Sequence, residues 1–316
     1  MRKIHIHFCD FWTGFNIKAN YFTELLKNEF ELIFDNLAPE LLIYSCYGYE
    51  NRKYPNALRI EFIAENIRPN LKLNDFSLSF DRIQNKKHYR LPLWILYGNL
   101  NDLIISSTCG ESFFNERKFC NTLVSNPKGK ERNHFFELLN TYKKVDSGGR
   151  YKNNIGGIPV VDRFEFIKNY KFTIAFENSS HPGYCTEKLV QPIKANSIPI
   201  YWGDATVHKD FNPDAFINVH DFNNLNEVVE YVKYLDNDKE AYLKKLNAPL
   251  FYNNSIPKHY TNEFIQSLLI KVLNKGKDTN TLKELNIILY GAINQLIKNS
   301  KNIKIKLFHR LDKLWD

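Results

Sequence analysis

The chain has 316 residues, is 43% hydrophobic and carries a formal net charge of +8 at pH 7. This length is enough for one large hydrophobic core or, in better agreement with usual domain sizes, two. The positive charge points to an anionic ligand or surface. Nucleic acid is disfavoured, because zinc-finger spacing, an RNP-like motif and a long basic arm are all missing from the sequence.

The chain is expected to lie in a reducing compartment. Its five cysteines are scattered and form no C-x-x-C pair, so they predict neither a disulfide framework nor a thiolate metal site. His5 and His7 share one face of a predicted strand, which is too little to indicate a metal site. No signal-peptide pattern opens the chain, and no apolar run approaches the ~18 residues that span a bilayer. A cytoplasmic protein is the expectation.

The first part of the chain alternates predicted strands with a helix, which indicates a parallel sheet flanked by helices. The strands are predicted at residues 3–8, 31–34, 41–45, 59–64 and 76–80, and the helix at 19–28. Glu65 directly follows the fourth strand, and open α/β sheets place ligand chemistry at the carboxyl ends of strands. From position alone, an ordinary solvated loop acid explains Glu65 more simply.

A polar connector at 110–118 precedes a second α/β unit. Its strands are predicted at 119–124, 174–176, 198–201 and 216–219, and its helices at 131–144, 187–196, 225–235 and 239–246. The inward faces are assigned to Phe135, Leu138, Leu139 and Tyr142 in the first helix and to Leu189, Ile193 and Asn196 in the second. Two such units predict an α/β protein with two Rossmann-like domains facing a cleft.

Polar residues gather where two of these strands meet helix starts. Thr186 is a predicted N-cap, and the strand, loop and helix around it place Asn178, Tyr184, Glu187 and Lys188 at one rim. Phosphates are favoured at such a helix N-terminus. Arg132 stands near the corresponding helix start after the loop at 125–129, so the two cations would converge on one anion, such as the diphosphate of a nucleotide sugar. Surface charge is the alternative explanation for both.

Three segments of this region resemble the signature of the α1,3/4-fucosyltransferase family, and bacterial members are the most similar. They read FENS at 176–179, GYCTEK at 183–188 and IPIYWG at 198–203. Further segments match in family order, at 64–66, 89–94, 119–126, 209–213 and 218–222. The resemblance runs from about residue 57 to 275, so the acceptor specificity carried by the first ~55 residues is not transferred.

The resemblance implies a GT-B arrangement of two Rossmann-like domains, with the acceptor on the N-terminal one and GDP-fucose on the C-terminal one. The implied domains are 1–115 and 116–275, with a helical tail at 276–316. Glu65 falls on the catalytic base, and Arg132 and Lys188 fall on the cations that hold the diphosphate. The remaining donor-binding positions are Asn178, Tyr184, Glu187, Ser125 and Asn126. No metal ligand is implied and no cofactor is required, although divalent ions stimulate some members.

The predicted function is an inverting transfer of L-fucose from GDP-β-L-fucose to the 3-hydroxyl of N-acetylglucosamine in N-acetyllactosamine-type glycans. The expected product is a Lewis x-type structure, and the expected acceptor is the O-antigen of lipopolysaccharide. Two alternatives stay open. One is a GT-B glycosyltransferase that uses another donor or forms an α1,4 or α1,2 linkage, and the other is a non-catalytic nucleotide- or glycan-binding protein.

The C-terminal tail has a different character. Residues 281–293 keep helical spacing of apolar positions, and residues 299–316 combine five cationic with two acidic residues beside Leu, Phe and Trp. Such a basic amphipathic end suits an anionic membrane surface, which would place the protein peripherally on the cytoplasmic face of the inner membrane. Packing of the same apolar face on the protein itself is an equal alternative.

Overall fold

The computed structural model describes residues 1–276 and divides into two compact units. The first unit holds Met1–Leu78, Asn85–Tyr89 and the described residues from 266 onward, and the second holds Ser79–Gln84 and Arg90–Ile265. Each unit is therefore built from separate stretches of the chain, whereas the predicted boundaries at 115 and 275 divide the chain into continuous domains. The predicted tail helices at 281–293 and 299–316 lie outside the described residues.

The first sheet has six strands in the order β2-β1-β3-β4-β5-β6. Their bounds are β1 Arg2–Cys9, β2 Phe30–Phe34, β3 Leu41–Tyr44, β4 Leu58–Phe62, β5 Phe76–Ser79 and β6 His88–Arg90. The pairs β1/β2, β1/β3, β3/β4 and β4/β5 are parallel, which confirms the predicted parallel sheet. The strand β6 is not predicted from the sequence, because its three residues are too short for an alternation signal.

Helix α1 of the first unit spans Tyr21–Leu26 and is shorter than the predicted 19–28. It begins after Asn20, whose side chain accepts hydrogen bonds from the backbone N–H groups of Phe22 and Thr23. The Thr23 hydroxyl accepts from the Asn20 N–H in return. This capping box fixes the helix start.

The second sheet has five strands in the order β11-β10-β9-β7-β8, and its pairs are parallel. Their bounds are β7 Lys118–Thr122, β8 Val145–Ser147, β9 Tyr170–Phe176, β10 Ile198–Trp202 and β11 Ile217–Asn218. The chain runs from β7 to β8 on one side of the sheet and from β9 through β10 to β11 on the other. The sheet therefore reverses its winding between β7 and β9.

Seven further α-helices lie in residues 1–276, beside several short 3-10 helices. They are α2 Ser112–Asn115, α3 Lys130–Tyr142, α4 Arg163–Ile167, α5 Glu187–Lys194, α6 Leu225–Asn237, α7 Lys239–Leu246 and α8 Asn262–Lys275. The first of them interrupts the predicted polar connector, and α4 and α8 are not predicted. Within the first unit, the Gln266 side-chain amide of α8 donates to the carbonyl oxygen of Leu25 at 2.7 Å.

The prediction for the inward face of α5 is partly wrong. The helix ends at Lys194, and Asn196 lies beyond it, exposed and with a positive φ of 52°. Leu189 is buried as predicted, but its buried neighbours are Val190 and Pro192, and Ile193 is only half-buried. A left-handed residue just after the last turn is a common way for a helix to end.

The inward face of α3 also differs from the prediction. Phe135 and Leu139 are buried, whereas Leu138 and Tyr142 are only partly so. Phe135 stacks on Phe176 of β9 with ring centroids 5.1 Å apart, which fixes the helix against the sheet. Arg132 lies on the same buried side of α3, so the packing of this face directs a cation inward.

Candidate active site

A cavity of about 200 Å³ lies in the second unit where the sheet reverses its winding. It is lined by residues that follow β7, by Thr173–Phe176 of β9, and by the start of α5. Ligands of open α/β sheets bind at such a switch point, outside the carboxyl ends of the strands. Six of the predicted site residues line the cavity together: Ser125, Asn126, Arg132, Asn178, Glu187 and Lys188.

Arg132 is a buried cation that lacks a carboxylate partner among the described residues. It is 3% exposed, and its guanidinium donates to the side-chain oxygen of Asn178 at 3.4 Å and to the carbonyl oxygen of Asn126. Its Nε is buried, and residues 1–276 offer it no hydrogen-bond partner. Burial lowers the pKa of Arg132. A desolvated guanidinium facing a cavity without a counter-ion indicates a binding site for an anion.

Two glycines make room for this arrangement. A Cβ at Gly129 would lie 2.7 Å from the guanidinium carbon of Arg132, so the absence of a side chain lets the arginine fold back over its own helix start. A Cβ at Gly149 would lie 1.9 Å from the carbonyl oxygen of Val124. Since that contact is to backbone, Gly149 is required for the close approach that supports the loop after β7.

Lys188 is held at the cavity wall by a buried carboxylate. Its ammonium lies 2.9 Å from Glu177 Oε2 and 3.0 Å from the Thr186 hydroxyl. Glu177 is fully buried and also accepts hydrogen bonds from the Thr186 N–H at 2.7 Å and from the Thr186 hydroxyl. Burial raises the pKa of Glu177, and the Lys188 ammonium opposes that shift. The pair fixes the cation where α5 begins.

The start of α5 has the predicted cap. The Thr186 side chain accepts from the Lys188 N–H at 3.5 Å and precedes the first helical residue, Glu187. Glu187 is half-buried, lines the cavity, and has its Oε1 3.7 Å from the Lys188 ammonium. The cavity wall therefore combines a helix N-terminus, a cation and a carboxylate, which can bind phosphate and hydroxyl groups.

Tyr184 is not among the residues that line this cavity. It is 2% exposed and packs edge-on against Phe80 with ring centroids 4.9 Å apart. Its carbonyl oxygen accepts from the Tyr201 hydroxyl at 3.2 Å. In this structure the ring supports the signature loop from behind, and a contact to the donor stays a prediction.

The signature loop is anchored at Gly183, which has a positive φ of 89°. Its N–H donates to buried Asp204 at 2.7 Å, and its carbonyl oxygen accepts from Arg90 at 3.1 Å. Arg90 also lies 2.6 Å from Asp210. A Cβ at Gly183 would lie 2.4 Å from the Phe80 carbonyl oxygen, so position 183 needs glycine for both its φ and its packing.

Sequence reasoning missed three residues of the site: Glu177, Arg163 and Gln191. Glu177 reads as part of a polar loop, and only its complete burial beside Lys188 identifies it as the counter-ion of that cation. Arg163 and Gln191 line the cavity from the first turn of α4 and from the middle of α5. An α4 prediction, with Asp162 as N-cap, could have located Arg163.

Glu65 lies in the first unit, three residues beyond the end of β4. Its carboxylate is half-buried and accepts a hydrogen bond from the Tyr47 hydroxyl at 2.8 Å. The position at the carboxyl edge of the first sheet agrees with the prediction, while its role as a base stays a prediction.

Within residues 1–276, no three His, Cys, Asp or Glu side chains lie close enough to hold a metal ion. The same residues form no helix that is long and apolar enough to cross a membrane. All five cysteines are free, and only Cys46 among them is not buried.

Two family models match the chain. The model of the C-terminal part of glycosyltransferase family 10 (fucosyltransferase) matches residues 114–286. The model of the α-(1,3)-fucosyltransferase FucT N-terminal domain matches residues 6–97. Between them they contain the cavity residues and Glu65.

Relatives of this chain are also named fucosyltransferases. The α-(1,3)-fucosyltransferase FucT of Helicobacter pylori is 35% identical over 226 residues, which are 61% of this chain and 47% of that protein. A human 3-galactosyl-N-acetylglucosaminide 4-α-L-fucosyltransferase is 36% identical over 124 residues, 38% of this chain and 34% of that protein. A gorilla 4-galactosyl-N-acetylglucosaminide 3-α-L-fucosyltransferase is 36% identical over 115 residues, 35% and 31% respectively. The matched segments thus span less than half of each relative.

Solved structures match over most of the chain. An α1,3-fucosyltransferase crystallised with GDP has a TM-score of 0.72 and 28% identity, covering 86% of this chain and 91% of that one. The structure with GDP-fucose has a TM-score of 0.70 and 27% identity over the same shares. An α-glucosyltransferase with UDP, at 11% identity and a TM-score of 0.51 over 86% and 100%, shares the fold. With the two parallel sheets, these matches confirm the predicted GT-B type α/β fold.

Proposed function

Because the chain belongs to glycosyltransferase family 10, the fucosyltransferases, we propose that it transfers L-fucose from GDP-β-L-fucose to a sugar hydroxyl with inversion. The observation that carries the proposal is Arg132, a buried guanidinium without a carboxylate partner among the described residues, facing the cavity at the switch point. A nucleoside diphosphate supplies the missing negative charge. The α1,3-fucosyltransferase crystallised with GDP-fucose has the same fold.

The donor half of the reaction belongs to the second unit. Arg132 and Lys188 stabilise the charge that grows on the diphosphate as the bond to fucose breaks. Glu177 and Thr186 hold the Lys188 ammonium in place before the donor arrives, so little reorganisation is needed during the reaction. Asn178 and the loop at 125–126 orient Arg132 in the same way. Glu187 accepts hydrogen bonds from sugar hydroxyls of the donor.

The acceptor half belongs to the first unit. The Glu65 carboxylate takes the proton of the acceptor hydroxyl while that oxygen forms a bond to the anomeric carbon of fucose. The bond from this carbon to the phosphate oxygen breaks at the same time, and GDP leaves with the electron pair. One displacement converts the β-linked donor into an α-linked product.

The proposed acceptor is the 3-hydroxyl of N-acetylglucosamine in N-acetyllactosamine-type glycans, as in lipopolysaccharide O-antigen. The relatives include 3-fucosyltransferases and 4-fucosyltransferases at the same level of identity. Transfer to the 4-hydroxyl is therefore the second candidate. Two acceptors separate these candidates. N-acetyllactosamine has a free 3-hydroxyl on its N-acetylglucosamine, whereas lacto-N-biose has a free 4-hydroxyl on that sugar.

The first test incubates the purified chain with GDP-fucose labelled in the sugar and with both disaccharides. Product on N-acetyllactosamine supports the proposal, and product on lacto-N-biose alone supports the 4-linkage. GDP release without product retains the donor assignment and removes the acceptor assignment. Absence of both turnover and GDP binding refutes the function, and GDP binding without turnover of any kind indicates a non-catalytic binding protein.

Three further parts of the proposal concern the surroundings of the enzyme. Donor binding needs no metal, so activity should survive chelation by EDTA, with divalent ions acting only as stimulants.

The free cysteines fit a reducing cytoplasm. Residues 299–316 bind an anionic membrane surface, which cosedimentation with vesicles containing phosphatidylglycerol tests against a chain that ends at residue 298.

A further inference from the structure

The carboxyl edge of the first sheet carries an aromatic pair next to Glu65. Trp12 follows β1, Tyr47 follows β3 and Glu65 follows β4. The Tyr47 hydroxyl donates to Glu65 Oε1 at 2.8 Å, and the rings of Tyr47 and Trp12 meet edge to face with centroids 6.2 Å apart. Three consecutive loops of one sheet edge thus form a continuous row of indole, phenol and carboxylate.

The backbone that carries Tyr47 is fixed by Asp10. The Tyr47 N–H donates to the Asp10 carbonyl oxygen at 2.9 Å. The Asp10 carboxylate accepts from the N–H groups of Glu50 and Asn51, both at 2.8 Å, and from the Asn51 side chain at 2.7 Å. A Cβ at Gly48 would lie 2.3 Å from Asp10 Oδ1, so the turn is closed tightly around this carboxylate.

The ring of Trp12 is fixed by its neighbours in the same loop. Phe11 and Phe15 stack with centroids 3.8 Å apart, and the indole meets both of them edge-on at 5.6 and 5.3 Å. The indole is half-buried in this cluster, while Tyr47 is 45% exposed. Aromatic rings held this way present a rigid apolar surface to a ligand at a small entropic cost.

We infer that Tyr47 and Trp12 form the subsite for the acceptor sugar ring, and that the Tyr47 hydroxyl positions the Glu65 carboxylate. The inference rests on the proposed function, in which Glu65 is the base. The apolar C–H face of a pyranose ring packs on the aromatic pair. Because the Tyr47 hydroxyl donates to Oε1, it fixes the orientation of the carboxylate that takes the proton of the acceptor hydroxyl. Tyr47 is a positioning residue for the base, and Trp12 is a binding residue for the acceptor.

Two variants separate these roles by steady-state kinetics with GDP-fucose and N-acetyllactosamine. Tyr47→Phe keeps the ring and removes the hydroxyl, so kcat should fall by about 10- to 150-fold, the range for losing a hydrogen bond to a charged group, with little change in acceptor KM. Trp12→Ala should raise the acceptor KM by about 10-fold, corresponding to a lost aromatic contact. The KM for GDP-fucose should stay the same in both, since that donor binds in the other unit.

Tyr49→Phe is the matched control, because Tyr49 lies two residues after Tyr47, is 55% exposed and has its ring 4.6 Å from the Arg52 guanidinium carbon. It should leave all constants unchanged. The inference fails if Tyr47→Phe has wild-type kcat, or if it acts only by lowering the melting temperature. It also fails if Trp12→Ala leaves the acceptor KM unchanged, or if Trp12→Phe, which keeps an aromatic ring, has an acceptor KM no lower than that of Trp12→Ala. If Glu65→Gln retains transfer, the proposed base is refuted instead, so the two failures are distinguishable.

Discussion

Replacing Arg132 with methionine should change stability and donor binding in opposite directions. Arg132 is 3% exposed, and its Nε finds no hydrogen-bond partner in residues 1–276. An unsatisfied buried donor costs about 1–3 kcal/mol, and the two hydrogen bonds to Asn178 and Asn126 return about 1 kcal/mol each. Because the charge itself must also be desolvated, a methionine of similar length should stabilise the ligand-free protein by about 1–2 kcal/mol.

That gain in the free energy of unfolding should raise the melting temperature by about 1.5–3 °C for a chain of this size. Loss of the charge-assisted contacts should weaken GDP binding by about 10- to 150-fold, equivalent to roughly 1.5–3 kcal/mol. At a GDP concentration of 100 times the wild-type Kd, the ligand adds about 2.7 kcal/mol to the wild type but about 0.4 kcal/mol to a variant whose Kd is 100-fold higher.

Thermal unfolding with and without GDP measures both effects on the same samples. Lys130→Met is the matched control, since Lys130 is exposed and opens the same helix. It should leave the melting temperature and the GDP-induced shift nearly unchanged. The reasoning is refuted if Arg132→Met lowers the ligand-free melting temperature while keeping the full GDP shift, because the arginine would then be a structural residue.

Three other changes test separate parts of the structure. Glu65→Gln should abolish transfer while preserving GDP binding by calorimetry, and loss of GDP binding would contradict the assignment of Glu65 to the acceptor half. Gly129→Ala should raise the donor KM more than 10-fold by displacing the Arg132 guanidinium, while Gly110→Ala, in open space, should not. Burial raises the pKa of Glu61 from 4.5 to about 7. The stability that Glu61 contributes is therefore full below pH 4.5 and is lost as the pH rises through 7, by up to about 3 kcal/mol. Glu61→Gln should flatten the pH dependence of the free energy of unfolding measured in urea over that range, and an unchanged slope would contradict this assignment.

The sequence was sufficient for the parts of the fold that depend on local signals. Most predicted strands lie within a few residues of their observed bounds, and the helix at 239–246 matches α7 at both ends. The cap at Thr186 is also confirmed. These elements have clear apolar patterns or capping residues, so neighbouring sequence alone determines them. Short elements such as β6 and α4 lack enough residues for a pattern to show.

The site was predicted only in part, because burial and pairing depend on residues far apart in the chain. Arg132 and Lys188 could be identified as cations near helix starts, but the sequence does not reveal that one is paired and the other is not. That difference arises from Glu177, which comes into contact with Lys188 only when β9 and α5 pack together. Tyr184 shows the reverse case, since its place in a motif does not indicate that its ring packs against Phe80.

The return of the chain to the first unit at Gln266 has a consequence for synthesis on the ribosome. The buried side chains of Leu269 and Leu273 and the hydrogen bond from Gln266 to Leu25 belong to the unit that begins with the first strand. A nascent chain therefore cannot complete that unit until the whole of the second has been synthesised. Until then the first sheet lacks helix α8, so during synthesis the incomplete unit is exposed to misfolding and proteolysis.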